Sequence, residues 1–177
     1  MRPTLAHVTV TVRKGLTRAP VRVQSRSMRQ SLSETTDRRT VALTWTGLAL
    51  TVLAAAYPIV DRATTGLLAD HVRAGYPAYG TTEVDAAVTA YVVILAVVGA
   101  LGVVGWLLTL RAARSDARWG RWLAAALLVA GAGVALAGLT VVDTSGDVGL
   151  APALAWLLVL PCLPGLAVVA LLWRRPS

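Results

Sequence analysis

The sequence predicts an all-α membrane protein: four transmembrane helices in an antiparallel bundle, with a short extracytoplasmic surface helix between the first and the second. Three observations predict it. Apolar runs at about 41–60, 84–110, 122–142 and 151–173 are each long enough, at 1.5 Å per residue, to cross about 30 Å of hydrocarbon. The 177 residues are 56% hydrophobic and 15% charged, against about 25% charged in a soluble domain. The net charge of +8 is not one patch. It alternates with the apolar runs: strongly basic before the first, acidic between the first and second, basic again, acidic again, and basic at the tail.

Residues 1–40 are polar and Arg-rich, with too little apolar surface to offset the entropy of ordering, and read as a disordered basic cytoplasmic segment. Met28 opens a short leader of its own, so residues 1–27 read as a mis-assigned start. The first run follows Arg38 and Arg39. With Ala54, Ala55 and Ala56 it has the outline of a signal peptide, but apolar character continues through Ile59 and Val60 and no soluble domain follows. The transmembrane domain is therefore placed at 41–175.

Asp61–Asp85 is the long polar stretch between spans. Within it, Thr64–Ala74 reads as a surface helix, capped by Thr64 or Thr65 and stopped by Gly75 and Pro77. Leu67, Leu68 and Val72 share its apolar face, while Asp70, His71 and Arg73 point to water or headgroups. Arg73 is expected to pair with Asp70 or with an acid of the Asp143 turn. Thr82 reads as the cap of the second span, with Asp85 reaching back in a capping box. A short basic connection, Arg111–Arg121, leads to the third span. The polar turn Asp143–Gly149 leads to the fourth, which starts with Pro152 in its first turn. Pro161 and Pro164 predict a kink near its middle.

Positively charged short segments stay in the cytoplasm, so both termini are expected inside a bacterial inner membrane. The interfacial aromatics agree: Trp45, Trp106, Trp119, Trp122 and Trp173 fall toward the basic boundary, and Tyr57, Tyr76, Tyr79 and Tyr91 toward the acidic one. Close helix packing is expected over Gly47, Thr51 and Ala55; over Gly99, Gly102 and Gly105; and over Ala126, Ala130, Gly133 and Ala137. The same small stripes also suit a homo-oligomer seam. Thr51, Thr89, Thr140 and Tyr91 are candidates for hydrogen bonds between helices.

No Asp, Glu, Lys, Arg or His lies in the interior of a span, which argues against proton relays and carboxylate-dependent antiport. His7 and His71 lie outside the spans, so haem ligation within the bundle is excluded. Cys162 is alone, which excludes cysteine-pair electron transfer. No catalytic, cofactor or metal residue is assigned, and no nucleic-acid partner. Candidate functional or docking residues are confined to the outer face: Asp70, His71, Arg73, Asp85, Asp143 and Asp147.

Tyr57 and Pro58 ending the first span, the segment Ala69–Gly80, the Gly-rich second span and the Arg/Trp connection together resemble the four-span integral membrane proteins common in high-GC actinobacteria. The excess of Arg over Lys and the wealth of Ala, Val, Leu and Gly suit such a genome. The resemblance implies no activity. The function expected is a non-catalytic interaction or accessory module in the lipid bilayer. A small transporter or channel subunit is the alternative, and a membrane enzyme with its site in 61–85 the second.

Overall fold

The computed structural model describes the backbone of residues 21–114 and 119–174, and within these the side chains from residue 37 onward. Six helices follow in order: α1 (Val21–Ala63), α2 (Leu67–Gly75), α3 (Thr81–Arg114), α4 (Gly120–Thr140), α5 (Pro152–Val159) and α6 (Cys162–Trp173). The chain divides into two units, Met1–Thr35 and Thr36–Ser177. Helix is assigned from Val21, where the polar composition led to an expectation of disorder. No Gly or Pro interrupts Val21–Thr46, so nothing local stops the helix. Residues 1–20 lie outside the described residues.

Four stretches have the length and apolarity to cross a membrane: Asp37–Ala63, Thr81–Arg114, Gly120–Thr140 and Pro152–Trp173. The chain is a multi-pass membrane protein of all-α architecture. Within the second unit, α1 and α3 run antiparallel, since Gly47 meets Trp106, Thr51 meets Gly102, Ala55 meets Gly99 and Arg62 meets Asp85. The α4 helix and the α5–α6 pair are likewise antiparallel, with Leu128 against Gly165 and Gly138 against Leu158.

The α1 helix buries Thr40, Thr44, Gly47, Thr51, Ala54, Pro58 and Asp61, at alternating spacings of four and three. That is a heptad seam, the pattern of a left-handed helix crossing. Every member is small, polar or proline. The hydroxyls of Thr44 and Thr51 return to the carbonyls of Thr40 and Gly47 at 2.8 and 2.9 Å, so no donor is stranded in lipid. Thr51 Oγ1 also accepts the Trp106 indole N–H at 2.9 Å. A Cβ on Gly47 would stand 2.2 Å from that indole, and one on Gly99 would stand 2.3 Å from the Ala55 methyl. Gly102 and Gly105 approach Thr51 and Leu127 in the same way.

The α4 stripe departs from expectation. Ala126, Ala130, Gly133 and Ala137 are all exposed, and a Cβ on Gly133 would meet nothing within 4 Å. The helix turns Gly120, Ala124 and Ala135 inward instead. From Leu123 to Leu139 it is apolar around its whole circumference, so no hydrophobic stripe in the sequence fixes its rotation.

The fourth span, Pro152–Trp173, is one helical stretch whose hydrogen-bond ladder lapses at Leu160 and Pro161, between α5 and α6, where both residues keep helical dihedrals. Pro164 has no N–H to offer the Leu160 carbonyl, which accepts the Leu163 amide at 3.3 Å instead. Trp122 and Trp173 pack edge to face, 5.1 Å apart, beside the arginines that flank α4 and α6. The sixth tryptophan, Trp156, lies at the opposite end, in the second turn of α5, so the division of Trp and Tyr between the two ends is not complete.

Candidate functional site

The end of the bundle carrying Asp61–Asp85 is built around one buried carboxylate. Asp61 is 1% exposed. It accepts the hydroxyl of Thr65 and the amides of Leu67 and Leu68, the latter two at 2.9 and 3.0 Å. No cation balances it among the described residues; the N-terminus of α2 does, through free N–H groups and the positive end of the helix dipole. The geometry depends on Gly66, which takes a left-handed φ of 64° and turns the chain so that α2 begins over Asp61. Its amide reaches back to the Asp61 carbonyl at 2.8 Å. The cap expected from Thr64 or Thr65 is therefore supplied by Asp61. Thr64 is turned away, its hydroxyl bonded to the Val60 carbonyl at 2.7 Å.

The next residue works in the other direction. Arg62 meets Asp85 at 2.8 Å and the Thr89 hydroxyl at 2.9 Å, fastening α1 to α3. Asp85 is thus committed to Arg62, and the capping box expected between Thr82 and Asp85 does not form.

Two further contacts bind α2 to the loop between α4 and α5. His71 Nε2 lies 2.9 Å from the Val148 carbonyl, and the Tyr76 hydroxyl lies 2.7 Å from Thr144 Oγ1. The loop is itself folded. Val142 and Val148 form an isolated antiparallel bridge, and the Asp143 carboxylate accepts the Ser145 amide at 2.8 Å together with its hydroxyl. Those two Ser145 donors hold the Asp143 carboxyl below its ordinary range, with smaller contributions from the Tyr76 hydroxyl and His71. Beneath, Leu68 and Val72 of α2 pack with Val84 and Val88 of α3 and with Leu150 and Leu154.

The six residues singled out from the sequence separate into three places. His71, Asp143 and Asp147 line one small cleft of about 50 Å³ with Tyr76 and Ser145. Asp70 and Arg73 pair with each other at 2.8 Å on the exposed face of α2. Asp85 lies with Arg62. Among the described residues, no group of three or more His, Cys, Asp or Glu is placed to hold a metal ion. No protein-family model matches the chain, and neither does any curated protein or solved structure.

Of the residues expected to bond between helices, Thr51 and Thr89 do so, to Trp106 and Arg62. Thr140 bonds to the Leu136 carbonyl of its own helix at 2.8 Å. The Tyr91 hydroxyl points at the loop, 2.8 Å from where a Cβ on Gly149 would stand. Sequence reasoning missed Asp61 as the organising group, and Tyr76 and Ser145 as loop fasteners. The signal for Asp61 was an acid followed by Thr64, Thr65 and Gly66 ahead of an apolar helix. Capping rules search one to three residues from a helix start, and this cap comes from six and seven residues away.

Proposed function

We propose that the chain is a non-catalytic accessory module of a bacterial inner membrane, with both termini in the cytoplasm, that offers its Asp61–Asp85 cap outside the cell as a contact surface for another membrane protein. The supporting observation is the three-way fixation of the cap by Asp61, His71 and Tyr76. A surface fixed before binding loses little entropy when a partner docks. Tyr79, 44% exposed and stacked on Tyr76 at 4.6 Å, is the aromatic anchor such a surface offers. The arginine distribution supports the orientation, and the likeness to four-span actinobacterial membrane proteins is part of the same reading.

Two measurements test it. In a Cys162→Ser background, an Asp147→Cys variant is expected to react with a membrane-impermeant thiol reagent in intact cells, and a Trp119→Cys variant only after permeabilisation. The reverse pattern refutes the orientation. A photo-crosslinking residue at Tyr79 is expected to capture one membrane protein in native membranes; adducts to lipid alone would refute the contact role. Transport as the function would need a polar path, and the cavity among α1, α3, α4 and the fourth span has no charged side chain among the described residues that line it.

A further inference from the structure

A cavity of about 290 Å³ lies among α1, α3, α4 and the fourth span. It is lined by Gly99, Gly102 and Gly105 of α3, where larger side chains would fill the space, and by Pro161 at the lapse between α5 and α6. Its lining is apolar, and the Thr51 hydroxyl and Trp106 N–H within it are bonded to each other at 2.9 Å. A polar ligand would find no free partner there, whereas an alkyl chain would. The exposed lining residues mark the opening: Leu101 on α3, and Ala130, Gly131 and Val134 on α4. All four sit within membrane-spanning helices, so the mouth faces lipid.

Arginines follow one end of the cavity along α3 and α4. Its lining reaches Thr109 on α3 and Ala124 on α4. Arg111 and Arg114 follow Thr109, and Arg121 precedes Ala124, all within about 8 Å along their helix axes. None of the three pairs with an acid among the described residues, where the ion pairs are Arg62 with Asp85 and Arg73 with Asp70. The far end of the bundle carries the acidic loops instead. A tail entering the mouth therefore brings its headgroup to guanidinium groups, which bind phosphate well.

We propose that this cavity holds an acyl chain of an anionic phospholipid whose phosphate rests on the collar of Arg111, Arg114 and Arg121. The inference rests on the bilayer placement and is independent of the contact role assigned to the cap.

The full chain, purified in detergent, is to be exchanged into equal amounts of phosphatidylglycerol and phosphatidylcholine, stripped by dilution, and its retained lipid weighed by native mass spectrometry. Retention of phosphatidylglycerol over phosphatidylcholine is expected, with the preference falling about fivefold in Arg121→Gln, since each surface Arg contributes about 1 kcal/mol. Gly131→Leu is expected to lose retention of both lipids, because Gly131 lines the mouth and a Cβ there meets nothing within 4 Å, which leaves room for a larger side chain to occupy the opening. Circular dichroism of each variant confirms that it folds. Equal retention of the two lipids by the unaltered chain overturns the proposal. So does undiminished retention by a folded Gly131→Leu variant, which would mark the lipid as surface-bound only. A stable dimer that Gly131→Leu abolishes would assign the mouth to a second copy and overturn it as well.

Discussion

The Asp61 carboxylate accepts the main-chain amide of Leu68 at 3.0 Å, so the last buried residue of α1 caps the first turn of α2. Seven residues separate the two in sequence, and the left-handed turn at Gly66 closes the distance. Asp61→Ala removes the one side-chain cap of α2 among the described residues and leaves the Leu67 and Leu68 amides without their acceptor. An unmet buried donor costs about 1–3 kcal/mol, so a clear drop in melting temperature is expected, with faster amide exchange across 64–75. Asp61→Asn keeps one acceptor and should lose less. Unchanged exchange in Asp61→Ala would show that the cap contributes nothing.

Arg62, its neighbour, should behave differently. Its pair with Asp85 is open to solvent, with side chains 42% and 67% exposed. Exposed pairs contribute about 0–1 kcal/mol. Arg62→Gln is expected to shift melting only slightly, and less at high salt. A loss as large as that of Asp61→Ala would mean that the α1–α3 contact at this end depends on the ion pair.

Glycine replacements should divide by position. A methyl at Gly47 or Gly99 has no room, against Trp106 and Ala55 respectively. Overpacking of this kind costs about 1–3 kcal/mol. Gly133→Ala meets nothing, so the helix-propensity gain of about 1 kcal/mol stands alone and the variant should match or exceed the parent. Melting of the three variants in one detergent makes the comparison.

The loop between α4 and α5 should loosen in acid. The Asp143 carboxyl lies below its ordinary value of 3.8 in the folded chain. Its contribution is therefore complete above that value and is lost as pH falls through the lower folded one. The protection of the 141–149 amides, taken relative to their intrinsic exchange rate at each pH, is expected to be flat from pH 7 to pH 5 and to fall below about 4. Ser145→Ala removes the largest cause of the lowering, so the loop should be less protected at pH 7 and lose less on acidification. An equal acid loss in both chains would mean that Ser145 does not hold Asp143.

The spans were legible because about twenty consecutive apolar residues have few soluble uses, and the four membrane-length stretches fall within a few residues of the predicted runs. The rotation of α4 was not legible, because Gly131, Ala132, Gly133 and Val134 are alike to a hydropathy argument. Three of the outer-face candidates, His71, Asp143 and Asp147, share one cleft, but their meeting depends on Val148 and Thr144 lying under α2. That pairing joins residues 68–77 apart in sequence, beyond any local rule. Asp85 looked like a helix cap because Thr82 stands three residues before it; Arg62, 23 residues away, outcompetes the local bond.

The heptad seam of α1 ends in Asp61, so the surface that sets how α1 sits against α3 also delivers the cap of α2. A rotation of α1 by one residue would swing the carboxylate about 100° away from Leu67 and Leu68. Sliding by one turn would displace it by about 5.4 Å. The angular and axial setting of a helix deep in the bilayer is thereby written onto a surface element outside it. Asp61 is therefore the latch at which the setting of α1 and the start of α2 are held together.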